Sequence, residues 1–214
     1  MKLYLKNIAD KIKYNSPLRI VLDGLRHIGL TFMPFYIFNE DVKARMSVND
    51  LALPDDFTVV TLNETDMKEM EQLPMRTRKE SELLNLMRKG NHCLGIRING
   101  QLAAFTWYSQ QEFSFSGFSF AMAHNEAYGF DSYTAPDFRG MNLTPLIRQE
   151  ICKVLHKQGV TTLLSVSQCF NRSAIRSTAK LKATKECLLV YVSLFKKLDF
   201  VKPVKLYQGK SRLI

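Results

Sequence analysis

The sequence predicts an α/β fold, a mixed sheet covered by helices. Two observations carry this prediction. Segments patterned as strands and helices follow one another as β, α, α, β, β, β, α, β, α, β, so three consecutive sheet strands run directly before the strongest helix. That order suits a mixed sheet and not a doubly wound parallel one, in which strands and helices alternate. The second observation is Asn99-Gly100 between two apolar runs, the turn chemistry of a two-residue β-hairpin.

Phe57 to Leu62 is a short β-rich run. Thr65 to Leu73 and Arg76 to Lys89 have helical spacing, with Leu83, Leu86 and Met87 on one face. Cys93 to Ile98 and Leu102 to Tyr108 are the hairpin strands, and Glu126 to Ala135 reads as a further strand. The segment Gln110 to His124, rich in Ser and Phe, is too long for an idle connection. Leu143 to Gln158 carries Leu143, Leu146, Ile147, Ile151, Val154 and Leu155 on one stripe, and Gly159 follows as a stop. Thr161 to Ser167 is a β run, Arg172 to Leu181 a short helix with Asn171 as its N-cap, and Cys187 to Phe195 an apolar strand. The basic tail from Lys196 adds a last strand around Val204 to Tyr207.

Residues 1–50 read as an N-terminal extension to a main domain of residues 51–214. A helix is expected from Pro17 to about His27. The aromatic run Phe32 to Phe38 either docks on the main domain or dips into a membrane surface.

A hydrophobic fraction of 46% with 23% charged residues is that of a soluble globular protein. No run reaches the roughly 18 apolar residues of a spanning helix, and Met1 to Asp10 lacks the apolar region of a secretory signal. Cys93, Cys152, Cys169 and Cys187 are widely spaced, without C-x-x-C, and so are expected as reduced thiols in a cytoplasmic protein. The four histidines are scattered too, so no metal site is expected. The net charge of +10 is unevenly spread: residues 138–214 carry 15 Lys and Arg against 3 Asp and Glu. Such an excess suits a polyanionic partner: nucleic acid, acidic membrane, acidic protein or phosphorylated cofactor. With no nucleic-acid module and little aromatic interleaving in the basic tail, a nucleic-acid partner is not expected.

Between the strand ending at Ala135 and the strongest helix lies Pro136-Asp137-Phe138-Arg139-Gly140-Met141-Asn142-Leu143-Thr144. A strand that turns directly into a helix leaves the first helical N–H groups without intrahelical acceptors, at the end where the helix dipole favours negative charge. Arg139 adds a charged donor.

Pro136, Phe138, Arg139, Gly140 and Leu143 resemble the GNAT superfamily of N-acetyltransferases, whose pattern is P-x-[FY]-R-G-x-G-[IL]-[GA]. Downstream, Asn171-Arg172-Ser173-Ala174-Ile175 and Lys180-Leu181 resemble the family's N-x-x-[AS]-I and K-L-G-F segments. The resemblance implies acetyl-CoA, or another acyl-CoA, as co-substrate. Its pyrophosphate would lie on the amides of Arg139, Gly140, Met141, Asn142, Leu143 and Thr144. Pantetheine would run along the strand edge near Tyr133 and Thr134, and Asn171 would hydrogen-bond the pantetheine arm or backbone nearby. The implied reaction is attack of an amine on the thioester.

The chain departs from the pattern at three places. Asn142 stands for the second glycine, Lys182-Ala183 for the G-F pair, and Thr178 for the Tyr that often protonates the thiolate. With Thr178 a poor acid, Ser177, Tyr191 or water are the other proton sources. For the general base the sequence offers Glu126 and Asp131 equally, with His124 a third candidate. Asp131 sits in an apolar strand where burial could raise its pKa.

Three functions follow. The first is acetyl transfer to a primary amine of a small molecule, amino sugar or peptide. The second is long-chain acyl transfer from acyl-carrier protein, with Phe113, Phe115, Phe118 and Phe120 lining a tunnel. The third is a GNAT-fold binding or regulatory module without turnover. Pairing of edge strands into a homodimer and membrane-surface contact by the extension stay open.

Overall fold

The computed structural model describes residues 22, 24–46, 56–195, 197–208 and 212. In chain order its elements are β1 (Leu30–Asp41), α1 (Val42–Met46), β2 (Phe57–Thr61), α2 (Met67–Gln72), α3 (Glu80–Arg88), β3 (His92–Ile98), β4 (Gln101–Ser109), β5 (Ser114–Phe115), β6 (Phe118–Ser119), β7 (Glu126–Thr134), α4 (Leu143–Lys157), β8 (Thr162–Gln168), α5 (Arg172–Lys180), β9 (Thr184–Leu194) and β10 (Leu198–Leu206). Contacts divide these into two compact units. One holds Glu40–Phe113 and Ala121–Ser165; the other holds the described residues up to Asn39, Ser114–Phe120 and those from Val166 onward.

In the first unit β2, β3, β4 and β7 pair antiparallel in that order, and β7 pairs parallel with β8. The hairpin forms where expected: Asn99 and Gly100 both have positive φ (50° and 77°), as a two-residue turn matching strand twist requires. Alternate residues of β3 and β4 feed two cores. On one face Leu94, Ile96, Ile98 and Ala104 pack with Leu143, Leu146, Ile147, Ile151 and Leu155 of α4. On the other, Cys93, Leu102, Phe105 and Trp107 pack with Met67, Met70 and Leu83 of α2 and α3. The result is the mixed sheet covered by helices that the sequence predicts. Helix α4 ends where Gly159 takes φ 80°: its amide donates to His156 O and that of Val160 to Leu155 O, a Schellman motif.

Helix α3 starts four residues later than its periodicity predicts, at Glu80 and not Arg76. The Glu71 carboxylate accepts the Glu80 amide (2.9 Å) and the Glu82 carboxylate the Lys79 amide (2.9 Å). Two amides left over at a helix start are thus met at Glu80, and Arg76 to Lys79 stay outside the helix.

The second unit is built on β9, which pairs antiparallel with β1 and with β10. The aromatic run Phe32 to Phe38 lies within β1, with Phe35, Ile37 and Phe38 buried and so not available to a membrane surface. Phe35 packs against Phe115 (4.9 Å between ring centroids) and Phe120 (6.2 Å). β5 and β6 form a small hairpin around Ser116 and Gly117. Of the helix expected from Pro17 to His27, residues 24–27 are helical and most of the rest lie outside the described residues.

Candidate functional site

β7 ends at Thr134 and the chain enters a 3-10 turn, Pro136–Phe138, before α4. The Ala135 amide donates to Ala103 O (2.8 Å), which anchors the exit of the strand. Gly140 follows with φ 93° and nothing within 4 Å of the place where a Cβ would stand. Asn142, the residue in place of the expected second glycine, takes the left-handed conformation itself (φ 56°, ψ 25°), which Asn adopts more readily than most residues. The departure in sequence therefore keeps the backbone turn.

Helix α4 starts here without a side-chain cap from Asn142. Leu143 and Thr144 precede the first closed helical turn, Pro145 has no N–H, and the Leu146 amide is the first to reach back, to Asn142 O (3.3 Å). Arg139 is exposed and lies over the end of β7, its Nε 3.5 Å from Thr134 O and Nη2 3.6 Å from Met75 Sδ. The Thr134 and Thr144 hydroxyls approach to 3.3 Å across the turn. Open backbone, uncapped amides and one exposed guanidinium fit a phosphate group.

The strand leading to this turn is irregular in a specific way. β7 pairs with β8 only from Glu126↔Thr162 to Gly129↔Ser165, whereas β7 itself continues to Thr134. Against β4, Trp107 faces Phe130 and Phe105 faces Tyr133, so Thr106 alone opposes both Asp131 and Ser132. This is a β-bulge, a device that re-aims a strand and is frequent next to active sites. Asp131 takes φ 45° within it.

Asp131 is held by two arginines. Arg76 donates from both terminal nitrogens to the two carboxylate oxygens (2.7 and 2.8 Å), and Arg78 Nε lies 3.1 Å from Oδ2. Arg76 is itself packed, 5.0 Å over the Phe105 ring and 5.6 Å over that of Tyr133. Burial pulls its pKa down, and the hydrogen bonds and charge of Asp131 outweigh that and raise it. A left-handed non-glycine residue costs about 1–2 kcal/mol, and charge-assisted hydrogen bonds contribute about 1.5–3 kcal/mol each. The pair thus outweighs the strain of the bulge. Sequence reading missed Arg76 and Arg78, because no local pattern ties them to a strand 55 residues away.

The other expected residues fall as follows. Glu126 opens β7 half-buried, its Oε2 accepting the Ala123 amide (2.8 Å), and His124 is exposed. Asp131, weighed equally with Glu126 as general base, has both oxygens engaged by arginine. The Tyr133 ring stacks on Phe105 and its hydroxyl donates to Pro74 O (2.9 Å), so this residue faces the site through its backbone. Asn171 caps α5, accepting the Ala174 amide (3.1 Å). The Thr178 hydroxyl is buried and turned back onto the carbonyls of Ala174 (3.0 Å) and Ile175 (2.9 Å) of its own helix. Asn171 and Thr178 belong to the unit of β9, and the turn from Arg139 to Thr144 belongs to the unit of β7. Phe113 is buried against Tyr128 (4.5 Å), which stacks on Phe130 (5.3 Å). Among the described residues no three His, Cys, Asp or Glu side chains converge as a metal site would require, and no helix is long and apolar enough to cross a membrane.

Comparison with known proteins gives the same picture. The chain is similar in fold to a Drosophila protein (TM-score 0.57, 17% identity, covering 77% of this chain and 52% of that one). It is also similar to a tandem GNAT protein from the clavulanic acid biosynthesis pathway (TM-score 0.56, 15% identity, 84% and 55%). A GCN5-related N-acetyltransferase from Kribbella flavida is a third match (TM-score 0.51, 12% identity, 79% and 62%). The chain thus spans roughly half to two thirds of the length of these solved proteins. No curated protein matches it in sequence. The acetyltransferase (GNAT) family pattern matches residues 55–181, more than half of the chain and inclusive of the β7–turn–α4 segment. On that match this chain belongs to the GNAT acetyltransferase family.

Proposed function

We propose that this protein is an acyl-CoA-dependent N-acyltransferase that transfers an acetyl group to a primary amine of a small molecule, amino sugar or peptide. The observation that carries the reading is the early end of β7–β8 pairing at Gly129, with β7 running on into a turn from which α4 starts without a side-chain cap. A strand edge from Phe130 to Thr134 leading to that turn suits an extended pantetheine arm joined to a pyrophosphate. Arg139 to Thr144 would hold the phosphates. The acyl-CoA supplies the activated acyl group.

The chain's own part is to orient the thioester on β7 amides, polarise its carbonyl and take up the amine proton. The amine nitrogen bonds to the carbonyl carbon, the C–S bond breaks, and the sulfur keeps the electron pair. Of the two carboxylates weighed, Glu126 is the better base, because Asp131 is committed to Arg76. With the Thr178 hydroxyl engaged in its helix, water is the proton source for the thiolate. The close stack of Phe113, Tyr128 and Phe130 favours a short acyl group over a long one. A cytoplasmic setting suits four unpaired cysteines.

A second reading, a CoA-binding module without turnover, is favoured by one observation, the engaged Thr178 hydroxyl. Calorimetry with acetyl-CoA, followed by thiol release in the presence of an amine panel, separates the two. Binding with release supports the enzyme, and binding without release supports the module. Failure to bind acetyl-CoA would refute both.

A further inference from the structure

We propose that Asp131 is a positioning residue of the acyl-CoA site, clamped by Arg76 and Arg78 so that the β7 edge follows the path a pantetheine arm needs. This rests on the acyl-CoA reading above. Seven described non-glycine residues have positive φ; six stand in turns or at helix ends, and Asp131 alone stands inside a strand. The bulge it creates brings Phe130 and Tyr133, three residues apart, onto the same core. It also lies just beyond the last β7–β8 pair, Gly129↔Ser165, where the edge of β7 becomes available.

The clamp comes from one short segment, Pro74 to Arg78, between α2 and α3. Four tethers join this segment to β7 and its turn. The Pro74 carbonyl accepts the Tyr133 hydroxyl, Met75 Sδ meets Arg139, and Arg76 and Arg78 hold Asp131. Arg76 cannot drift, because its guanidinium lies over the rings of Phe105 and Tyr133 and its side chain is only 9% exposed. Arg78, 41% exposed, adds a second and weaker hold. Asp131 acts through the backbone it bends, and its carboxylate touches no reacting atom. The anion-binding turn is spared, since its own shape comes from Gly140, Asn142 and α4.

That separation makes the role testable. Calorimetry is done on the full chain with two probes: acetyl-CoA, and the nucleotide half of CoA, which carries all the phosphates and no pantetheine. Asp131→Asn keeps a residue that tolerates left-handed φ and loses the charge. It is expected to weaken acetyl-CoA binding by about tenfold or more while leaving the nucleotide half within about twofold, as a displaced strand edge would. Arg76→Lys keeps the charge without the two-pronged geometry and should give an intermediate loss. Hydrogen exchange of the ligand-free protein should quicken at the Phe130–Thr134 amides in both variants and stay unchanged along α4.

Equal weakening of both probes, or no weakening of either, overturns the clamp while leaving the acyl-CoA site standing. Wild-type protein that binds neither probe overturns the site itself. If Asp131→Asn fails to fold, unchanged β7 exchange and unchanged acetyl-CoA affinity in Arg76→Lys overturn the clamp.

Discussion

The guanidinium of Arg148 occupies the space that a side chain at Gly129 would need: a Cβ there would overlap Nη1. Arg148 cannot swing aside without leaving Glu40, its buried ion-pair partner. Gly129→Ala is therefore expected to destabilise the fold by about 2–4 kcal/mol through overpacking and a disturbed buried pair. A urea midpoint within error of wild type would contradict this.

Glu40 of β1 and Arg148 of α4 make a second test. Each is almost fully buried, and Glu40 Oε2 and Arg148 Nε lack partners. Glu40→Ala leaves a buried guanidinium unpaired and should cost about 3–5 kcal/mol. Replacing both, as Glu40→Leu with Arg148→Met, should cost less than that single change, since no charge is left behind. A double variant as unstable as the sum of the singles would show that the pair is not coupled.

At the turn, stability and binding should separate. Arg139 is exposed, so Arg139→Ala is expected to move stability by no more than about 0.5 kcal/mol. It should weaken acetyl-CoA binding, more at low salt than at high salt, because an exposed charge is screened. Asn142→Gly should retain binding, whereas Asn142→Val should lose about 1–2 kcal/mol of stability, since φ 56° is strained for a branched side chain. Affinity that is the same in all three variants would remove the turn from the site.

The thiols give a pH test. Burial raises Cys152 to about 12 and Cys187 to about 11 from an ordinary value of 9.0. Below pH 9 both states keep these protons and the stability is fully present. As pH rises from 9 toward 11 the unfolded chain ionises first, so the native state loses stability through that window. Urea midpoints should fall across this range, and less steeply in Cys152→Ala. At pH 8 a thiol reagent should label half-buried Cys169 before buried Cys93, Cys152 and Cys187; the reverse order would contradict the burial pattern.

What the sequence made legible is what local chemistry decides. Asn99-Gly100 specifies a turn by φ alone, and the stripe on α4 needs only a period of 3.6. The turn from Arg139 to Thr144 was legible because a strand, a short link and a helix are consecutive there. Strand β1 was missed because Pro34 reads against a strand; it sits in one nonetheless, paired opposite Val190 and with its carbonyl accepting the Cys169 amide (2.9 Å). The bulge at Asp131 was hidden because it is a mismatch between two strands and is a property of neither alone. Thr178 reads as a poor acid from its residue type alone, and the rotamer that ties its hydroxyl to Ala174 and Ile175 is visible only in the folded helix.

Pro145 has a consequence for the thermodynamics of ligand uptake. Its ring fixes φ in the first turn of α4, and its buried position keeps that turn in one conformation before any anion arrives. With Asn142 already left-handed and Leu143 already buried, little of this segment is left to order upon binding. Binding of the nucleotide half should then carry a small entropic penalty, with the heat set by amide and guanidinium contacts. The turn would behave as a rigid receptor whose shape was settled when the chain folded.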